Sequence, residues 1–192
     1  MNGLIEKDQQ LLLFLNGLGS SSFDPFWLMI TGKWFWIPFY VILLYLVYKA
    51  VPRKKLIFVF IFIAIGIAIS DQLASVFKNE LGIDRLRPFR EPLIMENMRM
   101  IIKEGVNIYR GKYGFYSAHA SSSFFLMSFL SILIGKHYKY LTAILVFWAF
   151  LVSYSRIYVG VHYPGDVAFG AGVGFLLGGF LATLTKKVLA KN

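Results

Sequence analysis

Residues 139–166 read KYLTAILVFWAFLVSYSRIYVGVHYPGD. Up to Val159 the run is predominantly apolar, and at a helix's rise of ~1.5 Å per residue it spans the ~30 Å hydrocarbon layer of a bilayer. Its far end changes character: Ser155, Arg156, His162 and Asp166 follow within twelve positions, before a second apolar stretch begins. That pattern implies a bundle of membrane helices carrying polar chemistry at one end. The Arg offers a planar fork matched to phosphate oxygens. The His is a base or nucleophile near neutral pH. Asp166, at i+4 from His162, can hold the second imidazole nitrogen and fix its tautomer. The alternative for the same residues is an Arg and a His snorkelling at the membrane interface.

The composition agrees with a membrane setting. Of 192 residues, 57% are hydrophobic and 18% aromatic, more than a soluble domain tolerates. A net charge of +10 then points to an anionic membrane surface and an anionic substrate. No nucleic-acid-binding motif is visible, so nucleic acid is not an expected partner. The absence of cysteine excludes disulfides and thiolate chemistry. Met1 to Gln10 carries Glu6, Lys7 and Asp8 and lacks the layout of a signal peptide.

The predicted fold is all-α: a polytopic membrane helix bundle of five transmembrane helices with an N-terminal interfacial helix. Spans are expected near 34–50, 56–77, 118–135, 139–159 and 166–185. Trp34-Phe35-Trp36 reads as an aromatic belt at the start of the first. Leu11–Leu18 and Phe23–Ile30 are broken by Gly17, Gly19 and Pro25 and read as helices lying in the interface; a sixth span including residues 26–33 is the alternative. The chain is expected to be a single domain over 1–192, with an interfacial region at 1–33 and a catalytic core at 55–185. Gly170, Gly174 and Gly178, spaced by four, form a smooth helix face for close packing.

Charge sets the expected orientation. Lys49, Arg53, Lys54, Lys55, Lys136, Lys139, Lys186, Lys187 and Lys191 occupy two turns and the tail, without a single acid among them. By the positive-inside rule those segments are cytoplasmic. The segment from 79 to 115 and the turn at 156–165 then face outward, towards the periplasm if the host membrane is a Gram-negative inner membrane.

Three polar clusters fall on that outer side. One is Lys78 to Arg90, leaving the 56–77 helix; the second is Tyr116-Ser117-Ala118-His119, starting the 118–135 helix; the third is the Arg156–Asp166 segment. Ser117 is a candidate N-cap, and the free N–H groups behind it, Ala118 among them, make an anion site. His119 in that first turn can donate a proton to a leaving oxygen, or it can simply cap the helix. Lys78, Arg85 and Arg87 read as a phosphate cage beside the two histidines, or as stop-transfer charges. Asp71, an acid inside an apolar helix, is expected to face the bundle interior and pair with a basic group. Leu93, Ile94, Met98, Ile101 and Ile102 recur near helical spacing, predicting a short amphipathic helix from Leu93 to Glu104 that lies on the membrane.

Taken together, these residues resemble the type 2 phosphatidic acid phosphatase family, the membrane branch of a superfamily shared with vanadium haloperoxidases. Its blocks are K-x6-R-P, P-S-G-H and S-R-x5-H-x3-D. The third is matched in full by Ser155, Arg156, His162 and Asp166. The second is matched by Ser117 and His119, with Tyr116 and Ala118 replacing Pro and Gly. In the first, Arg85 has the family spacing from Lys78 but precedes Leu86, whereas Arg87 precedes Pro88 and lies two residues too far.

The resemblance implies a cofactor-free, metal-independent phosphatase or pyrophosphatase acting on a membrane lipid. His162 would attack phosphorus to form a phosphohistidine, His119 would protonate the leaving group and then activate water, and Asp166 would orient His162. Lys78, Arg85 or Arg87, Arg156 and the Ser117–Ala118–His119 backbone would hold the phosphate oxygens. Undecaprenyl diphosphate is the first expected substrate; lipid A, phosphatidylglycerol phosphate and phosphatidic acid are the alternatives. Outside that family, a zinc site from His119, His162 and Asp166 and a non-enzymatic transporter of anionic lipid are the competing readings. The sequence is silent on oligomeric state.

Overall fold

The computed structural model describes residues 2–79, 83–101 and 108–191. All its regular elements are helical: α1 Asn2–Gly17, α2 Asp24–Thr31, α3 Ile37–Ala50, α4 Leu56–Asn79, α5 Pro92–Asn97, α6 Ala118–Ile134, α7 Leu141–Tyr158 and α8 Pro164–Lys191. Of these, α4, α6, α7 and α8 are each long and apolar enough to cross a membrane. Their boundaries fall within a few residues of the predicted spans. Side chains such as Phe147 (68% exposed) and Leu176 (72%) point outward, as a lipid-facing surface requires.

The fifth predicted span is bent at its start. Helices α2 and α3 meet at 67° through Gly32 and a tight turn at Trp34–Trp36, and together they are long and apolar enough for one broken span or a re-entrant loop. Residues 26–33 belong to this bent pair of helices. Trp27 fixes the upper half by stacking on Tyr158, with ring centroids 5.0 Å apart. Trp36 meets Trp148 edge-on and donates to the Ile30 carbonyl at 2.8 Å, which holds the bend. Of the expected aromatic belt, Trp36 packs on Trp148 while Trp34 and Phe35 stay exposed.

At the centre, α6 lies against α8. Gly170, Gly174 and Gly178 face Ser117, Ser121 and Phe125 of α6, and a Cβ on Gly174 would come within 2.9 Å of the Phe125 nitrogen. Only a glycine face permits so close an approach of two backbones. Phe125, Phe129, Leu130 and Leu145 fill the core below, completely or almost completely buried.

Helix α1 closes one end. Leu12 is buried against Ile94, Met98, Ile157 and Val167. Asn16 donates to the Tyr158 carbonyl at 2.7 Å and accepts from the Arg99 amide at 2.7 Å, tying α1 to α7 and to the 83–101 loop. Leu4, Phe14 and Leu18 remain exposed on its outer face. The amphipathic helix expected over 93–104 is shorter, because α5 ends at Asn97 and Met98 is extended. Ile94, Met98 and Ile101 turn into the protein rather than the membrane; Ile102 to Glu104 lie outside the described residues.

The basic turns gather at the opposite end. Lys55 Nζ donates to the Leu189 carbonyl, and Tyr138 donates to the Leu46 carbonyl at 2.9 Å, bringing the ends of α3, α4, α6 and α8 together.

Candidate active site

The site forms where α4, α6, α7 and α8 end near α1. Asp166 enters from the first turn of α8, which opens on Pro164, a residue suited to a helix start because its missing N–H would be unpaired there anyway. The carboxylate is fully buried. Its Oδ2 accepts the Tyr163 amide at 3.0 Å and lies 3.6 Å from His162 Nδ1. That separation is longer than a hydrogen bond, and among the described residues Nδ1 has no other protein partner. The His162 ring, 3% exposed, turns Nε2 towards Arg87 Nη1 at 3.4 Å.

Burial pushes the His162 imidazole well below its ordinary range, and the charges of Arg87, Arg156 and Lys78 push the same way. With Nδ1 turned to the carboxylate, Nε2 is the ring nitrogen that faces the Arg87 guanidinium.

Arg87 is fixed by two carbonyls: Nε donates to Tyr113 at 3.1 Å and Nη1 to Val161 at 3.2 Å. A short antiparallel pairing of Leu86 with Tyr113 holds its segment in place. Burial lowers the guanidinium from its ordinary value, opposed by the Asp166 charge. Arg156, buried in α7, donates through Nη1 to Thr31 Oγ1 at the α2 terminus, while its Nε has no protein partner. A buried donor without a partner is suited to an incoming oxygen. Lys78, half-buried at the end of α4, lies within electrostatic reach of Arg87, Arg156 and Asp166.

Ser117 caps α6: its Oγ accepts the Ala120 amide at 3.4 Å, and its own amide donates to the Asp166 carbonyl at 3.1 Å. Ala118 and His119 follow in the first turn. His119 lies within electrostatic reach of His162 and Arg156. The structure thus gathers Lys78, Arg87, Ser117, Ala118, His119, Arg156, His162 and Asp166.

Arg85 reaches that group through Asp166. Its guanidinium pairs with Asp8 of α1, lies 3.3 Å from Asp166 Oδ1, and covers the Tyr163 ring at 4.5 Å. It faces carboxylates, whereas Arg87 faces His162. Sequence reasoning missed Asp8 and Thr31, whose partners lie 77 and 125 positions away. Among the described residues no three His, Asp or Glu side chains converge as a metal-ligand set.

A cavity of about 790 Å³ opens beside His119. Thr31, Lys33, Asp71 and His119 line its polar end, and Leu43, Val47, Ile63 and Leu130 line the rest, between α3, α4 and α6. Asp71 lines this cavity but is exposed, and among the described residues it forms none of the expected ion pairs; Lys33 and His119 share the cavity wall.

The sequence profile of the PAP2 superfamily matches residues 60–189. The chain belongs to that superfamily. Among curated proteins it is 37% identical to a lipid A 4′-phosphatase of Bacteroides thetaiotaomicron, over 98% of this chain and 81% of the relative. It is 32% identical to a lipid A 4′-phosphatase of Porphyromonas gingivalis, over 94% and 74%. Among solved structures the PAP2-type phosphatidylglycerolphosphate phosphatase of Bacillus subtilis superposes with a TM-score of 0.71 at 21% identity, covering 98% of this chain and 89% of that one. Aquifex aeolicus LpxE superposes with a TM-score of 0.56 at 23% identity, covering 93% of both. At those identities the two structures speak for the PAP2 fold alone. The protein is a multi-pass membrane member of that fold.

Proposed function

We propose that the protein is a metal-independent lipid phosphatase that removes a phosphate from lipid A at the extracytoplasmic face of a bacterial inner membrane. The observation that carries this reading is the juxtaposition of the buried His162–Asp166 pair and its cations with an apolar cavity opening beside His119. Phosphate chemistry and space for acyl chains sit side by side. The two lipid A 4′-phosphatases, each aligned over nearly all of this chain, favour lipid A over the prenyl diphosphate that the sequence put first.

In this mechanism His162 Nε2 attacks phosphorus as the bond to the sugar oxygen breaks, and His119 gives its proton to that oxygen. Water then attacks the phosphohistidine, His119 takes its proton, and the N–P bond breaks to release phosphate. Arg87, Arg156, Lys78 and the α6 N-terminus balance the charge of the pentacoordinate state, the work a metal ion does elsewhere. Asp166 stabilises the ring as positive charge develops on it.

The test is phosphate release by purified protein in detergent from bisphosphorylated lipid A, undecaprenyl diphosphate, phosphatidylglycerol phosphate and phosphatidic acid, with chelator present. Lipid A is expected to give the highest kcat/KM, and His162→Ala to abolish release. Preference for undecaprenyl diphosphate would restore the first substrate expectation. Activity that vanishes in chelator and returns with zinc would overturn the mechanism, and binding without phosphate release would favour a transporter.

A further inference from the structure

Helix α1 lies outside the part of the chain that the family profile matches, which begins at residue 60. One of its side chains nevertheless reaches the catalytic group. Asp8, with its side chain 15% exposed, accepts from Arg85 and also from the Gly165 amide at 2.8 Å. Arg85 in turn lies 3.3 Å from Asp166 Oδ1, the carboxylate whose other oxygen faces His162 at 3.6 Å.

We propose that Asp8 is a positioning residue of the reaction, acting through Arg85 and Gly165 on Asp166 and thence on His162. The inference rests on the phosphatase reading above. Two carboxylates share one guanidinium. Asp8 holds that guanidinium at the outer side of Asp166, over the Tyr163 ring at 4.5 Å. Asp166 Oδ1 is then balanced, and Oδ2 stays directed to the imidazole. Without Asp8, Arg85 either closes on Asp166 and draws it from His162, or swings away and leaves a buried carboxylate poorly compensated. Through the Gly165 amide, Asp8 also satisfies a free N–H in the first turn of α8, the turn that carries Asp166.

Gly165 admits this contact because it has no side chain: a Cβ there would lie 2.7 Å from Asp8 Oδ2. Gly165→Ala therefore displaces the Asp8 carboxylate without changing any charge.

The experiment measures kcat and KM of the full purified chain on bisphosphorylated lipid A, beside its melting temperature. Asp8→Asn is expected to lower kcat by about 10-fold, the scale of one lost charge-assisted bond, with KM little changed. Asp8→Glu should recover most of the loss, and Gly165→Ala should fall between. Asp8→Asn added to Arg85→Gln should cost nothing beyond Arg85→Gln alone. Asn16→Ala, which loosens α1 elsewhere, controls for stability: it should lower the melting temperature and leave kcat intact. Unchanged kcat in Asp8→Asn, additive losses in the double variant, or equal losses of kcat in Asp8→Asn and Asn16→Ala would each overturn the inference. A wild type that releases no phosphate from any lipid would overturn the phosphatase reading as well, a result distinct from an active enzyme indifferent to Asp8.

Discussion

Arg87 and His162 are bound electrostatically as well as sterically, and the pair fixes a pH dependence. In the proposed mechanism a neutral His162 is the reactive form, so kcat/KM is expected to fall as pH drops through its pKa in the free enzyme. Because burial and the neighbouring cations hold that pKa well below the ordinary 6.5, the loss comes only at lower pH. Arg87→Gln removes one of those cations. The acid limb should then move up towards the ordinary imidazole range, while kcat/KM drops by about 100-fold from the lost oxyanion donor. A pH–rate profile of the two proteins checks both; an unmoved limb would mean that Arg87 does not act on His162. At this scale the third motif was fully legible, since Arg156, His162 and Asp166 lie within eleven residues and one turn joins the last two. The pairing of Arg85 was not. It depends on Asp8, 77 positions from Arg85, whose carboxylate no local pattern ties to a membrane site.

The α6–α8 seam carries both halves of the site, His119 on one helix and Asp166 on the other. Gly174→Val would place a side chain against the backbone of Ser121 and Phe125, which cannot yield as a flexible side chain would. Overpacking of this kind costs about 1–3 kcal/mol, so the melting temperature in detergent should fall, and activity with it as the helices part. Gly172→Val, at a position with nothing within 4 Å, should leave both unchanged. Equal effects from the two substitutions would show that the seam is not set by close packing. Four spans and this glycine face were readable because lipid imposes length and apolarity, and small residues at four-residue spacing have one common use. The bent α2–α3 unit was not. Eight residues are too few for a span signal, and what holds them is the stacking of Trp27 on Tyr158 and the edge-on contact of Trp36 with Trp148, contacts between segments far apart in sequence. Ile94, Met98 and Ile101 misled for the reverse reason, since a spacing that suits a membrane-surface helix equally suits an irregular segment packed under α1.

Across the whole molecule, the basic turns sit at one end of the bundle and the polar site near the other. The proposed orientation predicts that reporters fused at Lys54 and Lys136 read as cytoplasmic and one at Asn97 as external; the reverse pattern would put the site on the wrong side for an extracytoplasmic phosphatase. The cavity bears on the substrate. It lies between α3, α4 and α6 and has a volume of about 790 Å³, within the usual range for ligand sites. Its polar end holds His119 and Lys33, and its depth is lined by Leu43, Val47 and Leu130, so a phosphorylated sugar would sit at the top with acyl chain running down the groove. Each methylene buried there contributes about 0.8 kcal/mol, which makes tail binding the larger share of affinity for a long-chain lipid. Ala68→Trp, on the α4 wall of the groove, should fill that space without touching the phosphate site. It should lower kcat/KM for lipid A by at least about 10-fold, the loss of only two such methylenes. A water-soluble phosphate monoester, with no tail to place, should be hydrolysed at the wild-type rate. Parallel losses on both substrates would mean that the substitution disturbs the chemistry itself, and the groove would lose its claim to the acyl chains.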